Sequence, residues 1–481
     1  MQPSPVLAIL GLLLTILSAA MLIPASFDLV TGHQDWHGFA FSALITGFVG
    51  VCLWLANKSH KRVDLGVRDA FLLTNGAWFF IGIFGALPFL FSSLDLGLAD
   101  ALFESVSGIT TTGSTVLSNI EQASYGLLIW RALLQWMGGV GIVVMALAVL
   151  PMLSVGGMQL FKTESFDAAE KVIPRARQLA GGIFAIYSLL TGVWMLMLMM
   201  AGMDAFDALA HAMTTLATGG YSTKTASIAA FDSLAVEIII IAGMIVGSLP
   251  FVHYLAMARG GWRSLLRDPQ VSWFAVILIA VVMLLSFNLF STGMDVDMAI
   301  RNAAFNGISI ITGTGYGTSD FASWGGFATT LLLICMFIGG CAGSTTCGIK
   351  IFRLQVLAGT IRVQFARLVR PHGVVLSYYA GRPVPESVMD AVMGFFYLYM
   401  LCFIGIAVLL GLTGVDFDTA LSGAATAISN VGPGLGGTIG PAGHFGSLPD
   451  MSKYILCFGM LLGRLELFTV LVVLNPMFWK S

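Results

Sequence analysis

The chain has 481 residues, 57% of them hydrophobic and only 10% charged, with a formal net charge of −2. A soluble domain carries about 25% charged residues, so this composition excludes a water-soluble globular protein and points to an integral membrane protein. The near-zero net charge leaves no bulk attraction for nucleic acid.

The first apolar run covers 5–26, and no Lys or Arg precedes it; Lys58 is the first basic residue. A secretory signal needs a positive leader, so the run reads as a retained transmembrane helix. Further apolar runs follow at 38–57, 70–92, 126–152, 178–203, 233–258, 271–291, 326–349, 391–414 and 454–478. A span needs about 20 apolar residues, and ten runs of this length predict ten helical spans. Lys58, Lys61, Arg62 and Arg68 lie in the first loop of one side, and Lys162, Lys171, Arg175 and Arg177 in the next. Arg259, Arg263 and Arg267, then Lys350, Arg353, Arg362, Arg367, Arg370 and Arg382, and finally Lys480 complete that side. These are 18 of the 23 basic residues, and the positive-inside rule therefore predicts cytoplasmic termini. Arg131, Lys224, Arg301 and Lys453 fall on the other side, and Arg464 falls within a span. The basic loop 350–382 is explained equally by topology, by lipid headgroups or by a docked partner.

Four outward segments are too apolar for exposed loops and too short to span. They start near Asp100, Asp204, Asp295 and Asp416, run about three turns, and end in Gly/Thr-rich turns. They read as re-entrant half-helices followed by irregular backbone, which lipid tolerates only where it is buried or lines a water path. Aligned on the last Gly of each turn, they give Gly113, Gly220, Gly315 and Gly434 as equivalent positions. Glycines at Gly138-Gly139, Gly247, Gly339-Gly340 and Gly463 follow about 25 residues later, and predict a break in each second span.

The predicted fold is thus an all-α polytopic membrane protein. Four pseudo-symmetric helix–half-helix–helix repeats surround one pore, after two extra N-terminal transmembrane helices. The expected divisions are 1–62 for the extra helices, then 63–160, 161–262, 263–360 and 361–481 for the repeats.

Stripping water from a potassium ion takes several carbonyl oxygens aimed at one axis, and that geometry requires positive φ, which glycine adopts without strain. The candidate ion-binding residues are Thr110, Thr111, Thr112 and Gly113; Ala217, Thr218, Gly219 and Gly220; Thr312, Gly313, Thr314 and Gly315; and Val431, Gly432, Pro433 and Gly434. Only the third quarter carries Gly315-Tyr316-Gly317, and since the residues at the positions of Tyr316 and Gly317 vary between quarters, the expectation rests on Gly315. Asp100, Asp204, Asp207, Asp295, Asp297, Asp416 and Asp418 suit helix capping, with a cation-attracting vestibule as a consequence. Gly339, Gly340, Gly343, Ser344, Thr345, Thr346 and Gly348 make a poor helix and read either as close helix packing or as an unwound gate. Arg464, costly within a span, is either a positive barrier in the path or part of a structural ion pair, with Glu466 poorly placed to be its partner. Glu237 and Glu466 are the acidic residues placed inside spans, His211 reads as a packed histidine, and the six cysteines read as inert thiols. No nucleotide-binding or catalytic motif is present, so no enzyme activity and no cofactor are expected.

The four Gly turns, the interrupted span at 337–350 and the Gly463-Arg464 pair resemble the Trk/Ktr superfamily of potassium transporters, the TrkH-type membrane subunits in particular, over almost the whole chain. The two extra N-terminal spans fit that branch. The resemblance implies potassium uptake through a channel-like pore in a bacterial inner membrane, with K+ as the bound transported ion. It favours the gate at 339–348 and places Arg464 at the pore constriction. It also implies a homodimer and a cytosolic, nucleotide-binding regulatory subunit of the TrkA type. The competing expectation is a secondary transporter (a symporter) coupling potassium to sodium or proton flow, which would need membrane-embedded acids that change protonation.

Overall fold

Inside lipid every backbone amide needs a partner within the protein, and a long apolar run finds one by becoming a helix. The computed structural model describes residues 3–58, 66–148, 157, 176–261, 263–373 and 375–480. Among them, seven continuous helices are long and apolar enough to cross a membrane: Pro5–Thr31, Trp36–Asn57, Val67–Leu90, Tyr125–Leu147, Gln178–Met200, Pro269–Ser291 and Glu386–Leu412. Lys61, Arg62, Lys162, Lys171 and Arg175, and the expected divisions at 62, 160 and 262, lie outside the described residues.

Three of the ten apolar runs are not single helices. Leu234–Gly247 and Phe251–Met257 meet at 96°, and Asp450–Arg464 and Phe468–Leu474 at 114°. Pro250 stands at the first break, where it cannot continue the hydrogen-bond ladder. Glu466 and Leu467, both at positive φ, make the second. The third run is helical over Gly326–Phe337, unwinds, and resumes as Ile351–Val369. The break expected at Gly138-Gly139 does not occur, since Tyr125–Ala148 runs through both glycines. Their role is clearance: a Cβ on Gly138 would collide with the Ile109 carbonyl, and one on Gly139 would lie 2.5 Å from the Tyr187 hydroxyl.

The re-entrant segments form half-helices Leu98–Ile109, Ala205–Leu216, Val296–Ile311 and Phe417–Ser429, of 12, 12, 16 and 13 residues. At 1.5 Å per residue these reach about 18–24 Å, short of the ~30 Å hydrocarbon core. Asp204 caps the second through the Phe206 amide (3.1 Å) and Asp416 the fourth through the Thr419 amide (3.0 Å). Asp295 holds the N-cap position of the third without a side-chain bond, and Gly97 that of the first. Asp100 and Asp207 instead form ion pairs.

Those pairs belong to a set that accounts for Arg131, Lys224, Arg301 and Lys453, the four basic residues on the side of the half-helix N-termini. Arg131 meets Glu104 at 2.7 Å, Lys224 meets Asp207 at 3.2 Å, Arg301 meets Glu237 at 2.8 Å and Lys453 meets Asp100 at 2.6 Å. Glu104 had no place among the expected membrane acids, yet it is fully buried on the first half-helix. It accepts from Arg131, from the Thr115 hydroxyl and from the Val116 amide, which leaves its charge compensated. Removing one partner of a buried pair strands the other, a cost of about 3–5 kcal/mol. Glu104→Gln should therefore lower the unfolding temperature of the detergent-solubilised protein markedly, whereas Asp450→Asn, on an exposed side chain, should not.

The N-terminal hairpin packs closely where Gly11 and Gly50 face each other; a Cβ on Gly11 would lie 2.6 Å from the Gly50 carbonyl. Asp28 secures the hairpin to the first quarter by accepting from the Gly126 amide (2.6 Å) and the Ser124 hydroxyl (3.0 Å).

Candidate functional site

Each half-helix ends by turning sharply. Thr111, Thr218, Gly313 and Asn430 lie at φ 55, 50, 67 and 54°. Two residues later Gly113, Gly220, Gly315 and Gly432 lie at φ 85, 78, 80 and 113°. Left-handed residues at alternate positions rotate the intervening peptide planes so that successive carbonyls face the same way, the requirement for a carbonyl-lined path. Thr111 and Thr218 are β-branched, for which positive φ costs of order 1–3 kcal/mol, so the surrounding contacts must enforce it.

The four turns close on one another. A Cβ on Gly113 would collide with the carbonyl of Gly219, one on Gly220 with that of Thr314, and one on Gly315 with that of Val431. A Cβ on Gly432 would come within 2.9 Å of the Thr112 carbonyl. The quarters therefore form a ring in chain order, each ring glycine against the residue that precedes the next one.

This ring corrects one expected residue. The fourth ring glycine is Gly432, not Gly434, which has no positive φ and faces the Ile439 and Ser422 side chains. Pro433 follows the ring glycine, and the fourth turn is Ser429, Asn430, Val431 and Gly432. A second contact fixes the same register. Gly138, Gly247 and Gly463 lie against the carbonyls of Ile109, Leu216 and Ile428, each four residues before a ring glycine (109 to 113, 216 to 220, 428 to 432). Ser429 and Asn430 escaped the sequence reading. Asn430 carried a signal, because Asn is the side chain that tolerates left-handed backbone best.

The expected hydroxyls are largely engaged with one another. Thr110 pairs with Thr112 at 2.7 Å and Thr312 with Thr314 at 2.8 Å. Asn430 Nδ2 donates to Thr112 Oγ1 (2.8 Å) and to the Met460 carbonyl (2.9 Å). Thr111 Oγ1 and Asn430 Oδ1, at equivalent positions, are buried without a protein hydrogen bond. Gln135, also absent from the sequence reading, clamps the second turn: its Nε2 donates to the Gly219 carbonyl (2.6 Å) and its Oε1 accepts from the Tyr221 amide (3.1 Å). His211 is buried and packed, with Nε2 3.0 Å from the Ser222 hydroxyl.

Beneath the ring lies the unwound segment 338–350. A short parallel bridge, Ile338 with Ile349, closes its base, and the residues from Gly339 to Cys347 are buried. Its amides are satisfied partly within the segment, partly by Gln270 of the third quarter, and partly by the second quarter. Cys341 donates to the Ser248 carbonyl (3.0 Å), and Thr345 to the Gly247 carbonyl (3.1 Å). The Thr345 hydroxyl reaches the Leu216 carbonyl (3.0 Å) and lies 3.1 Å from Thr218 Oγ1, so the segment touches the ring turn itself. Gly343 and Gly348 take φ of 75 and 69°, and Ser344 and Thr346 bond each other at 2.8 Å.

Arg464 is the last residue of its helix and not mid-span as expected, with the 114° break just beyond it. It donates to the Thr345 carbonyl (3.1 Å), to Cys347 Sγ (2.6 Å) and to the Gly138 carbonyl (2.8 Å). One guanidinium of the fourth quarter thus ties the first quarter to the unwound segment of the third, which itself rests on the second. The four quarters converge at this point below the ring. Glu466 leaves Arg464 alone and instead binds Arg353. Cys347 is consequently more than an inert thiol, since it accepts from a buried cation. The space here is about 20 Å³, room for roughly one water.

A family model described as TrkH, cation transport protein, matches residues 37–481. The chain belongs to the TrkH family. It is 42% identical to the Trk system potassium uptake protein TrkI of Halomonas elongata over 480 residues, covering 99% of this chain and 97% of that one. It is 38% identical to the Trk system potassium uptake protein TrkH of Vibrio parahaemolyticus, covering 100% of both. The crystal structure of the potassium transporter TrkH from Vibrio parahaemolyticus superposes with a TM-score of 0.92 at 36% identity over the full length of both chains. As a TrkH-family member the chain is a multi-pass membrane transport protein and not an enzyme.

Proposed function

We propose that this chain is the potassium-conducting subunit of an uptake system, with one pore formed by one polypeptide and ions crossing through the carbonyls of 110–113, 217–220, 312–315 and 429–432. The observation that carries the reading is the ring of four left-handed glycines, each against the next quarter's carbonyl. The relatives' names supply the cation, and K+ is then cargo with no cofactor involved. The half-helix C-termini end at the ring, where their negative dipole ends favour a cation. At the outer mouth, the Thr419 hydroxyl and amide hold the Asp416 carboxyl below its usual range, so it stays ionised at neutral pH and attracts cations.

In this reading the segment 339–348 is the gate, and Arg464 is both its latch and a positive barrier. The Trk-system names of the relatives support a membrane subunit of a larger assembly. Family resemblance supplies the rest: a homodimer in the bacterial inner membrane with cytoplasmic termini, and a TrkA-type nucleotide-binding subunit on the cytosolic side. Channel-like permeation is favoured over sodium- or proton-coupled transport because Glu104, Glu237 and Glu466 each face an arginine and are committed as ion-pair partners. The test is cation uptake by liposomes containing purified protein. Potassium and rubidium should enter down their gradients, sodium much more slowly, and Gly315→Ser should erase the difference. A fixed stoichiometry with sodium or protons would overturn the channel-like reading.

A further inference from the structure

The residue after each ring glycine is Ser114, Tyr221, Tyr316 or Pro433. These four side chains do one thing in different ways: each reaches back to the preceding quarter of the ring. Tyr221 donates its hydroxyl to the Glu104 carbonyl (2.8 Å), with the Ser114 carbonyl at 3.2 Å, both in the first quarter. The Tyr316 hydroxyl lies 2.5 Å from Thr214 Oγ1, and Thr215 Oγ1 is 3.4 Å away, both on the second half-helix. Ser114 donates to the Gly432 carbonyl (2.6 Å), which carries the pattern from the first quarter back to the fourth. Pro433 has no hydrogen to give and packs on Gly315 instead; a Cβ there would lie 2.7 Å from Pro433 Cδ. Tyr221 and Tyr316 are buried behind the ring, at 3% and 0% exposure.

Potassium and sodium differ in radius by a fraction of an ångström. In the cavity-size account of selectivity, a carbonyl cage distinguishes them by resisting closure around the smaller ion. Backbone alone does not supply that stiffness, because the ring turns are irregular and make few bonds across the seams. A phenol bonded to the neighbouring quarter does, since any inward movement of one turn must break or bend the bond. We infer that Tyr221 and Tyr316 are specificity-determining struts, whose hydroxyls hold adjacent quarters apart and set the size of the ring. This rests on the permeation reading above. The tyrosine of the third quarter is therefore not incidental to its Gly-Tyr-Gly stretch, and Tyr221 is its counterpart at the same place in the second quarter. The seam between the third and fourth quarters, closed by Pro433, has no hydroxyl strut among the described residues, so the ring is braced on three sides.

The test compares Tyr316→Phe, Thr214→Val and the double variant with wild type in liposome uptake of potassium, rubidium and sodium. A net hydrogen bond is worth about one order of magnitude in an equilibrium at most. The expected result is a roughly three- to tenfold loss of potassium-over-sodium discrimination in either single variant, with potassium flux within about threefold of wild type. The double variant should lose no more than the singles, because both remove the same bond. Tyr397→Phe, on a lipid-facing tyrosine, is the control and should leave discrimination unchanged. Loss of flux and of thermal stability in both single variants with an unchanged ion ratio would mark a structural tyrosine and overturn the inference. Unchanged discrimination in well-folded singles would overturn it too, while Gly315→Ser still erasing discrimination would leave the permeation reading standing. Wild type that fails to discriminate would instead sink the permeation reading itself.

Discussion

Gly432→Ala should reduce rubidium uptake at least tenfold, and Gly434→Ala should leave both uptake and selectivity close to wild type. At Gly432 the backbone sits at φ 113°, and a Cβ would come within 2.9 Å of the Thr112 carbonyl. An L side chain there carries strain of order 1–3 kcal/mol and pushes the fourth quarter away from the first. Since 1.4 kcal/mol corresponds to a factor of ten, a shift of this size in the barrier is readily seen. At Gly434 an added methyl meets Cδ1 and Cγ1 of the buried Ile439 side chain and not a ring carbonyl, an overpacking cost of about 1–3 kcal/mol that falls on stability. Uptake by liposomes, normalised to protein recovered in folded, monodisperse form, separates the two. Equal losses, or a larger loss at Gly434, would show that the ring register is wrong.

Arg464→Ala should raise cation flux about tenfold or more. The change removes the donors to the Thr345 and Gly138 carbonyls and to Cys347, and so frees the unwound segment from the opposite quarter. It also removes a buried positive charge from the point where the four quarters meet, lowering an electrostatic barrier that water does not screen there. Arg464→Lys divides the two effects. Lysine keeps the charge but lacks the planar fork that spans three acceptors. Flux like the alanine variant would identify latching as the dominant effect, and flux like wild type would identify charge. A folded Arg464→Ala variant with unchanged flux would reduce the arginine to a structural tie. Glu466→Gln should behave differently from both, because it removes the negative charge that compensates the buried Arg353 and should act mainly on stability.

The spans were legible because lipid imposes a length and a composition that few other environments do. The half-helices were legible as segments too apolar for loops and too short for spans. The register of the fourth turn was not, because Gly432-Pro433-Gly434 offers two glycines and the alignment took the last. Counting from the N-cap that the structure shows chooses correctly. From the N-cap to the ring glycine is 16 residues in quarters one, two and four (97 to 113, 204 to 220, 416 to 432). It is 20 in quarter three (295 to 315), whose half-helix is four residues, about one turn, longer. The unbroken helix through Gly138-Gly139 was misread because a glycine that lets two backbones touch and a glycine that ends a helix look alike in sequence. Glu104, Gln135 and the phenols of Tyr221 and Tyr316 were invisible for a different reason. The partners of Gln135, Tyr221 and Tyr316 lie one quarter away and those of Glu104 further along its own quarter, and no local pattern announces them.

The ring is written once, in a single reading frame, with unequal quarters. In a channel assembled from four identical subunits, one codon change alters all four walls together. Here one substitution moves one wall and leaves three in place. Such a ring can be adjusted in quarter steps, and Ser114, Tyr221, Tyr316 and Pro433 are four settings of the same screw, each free to drift without the others.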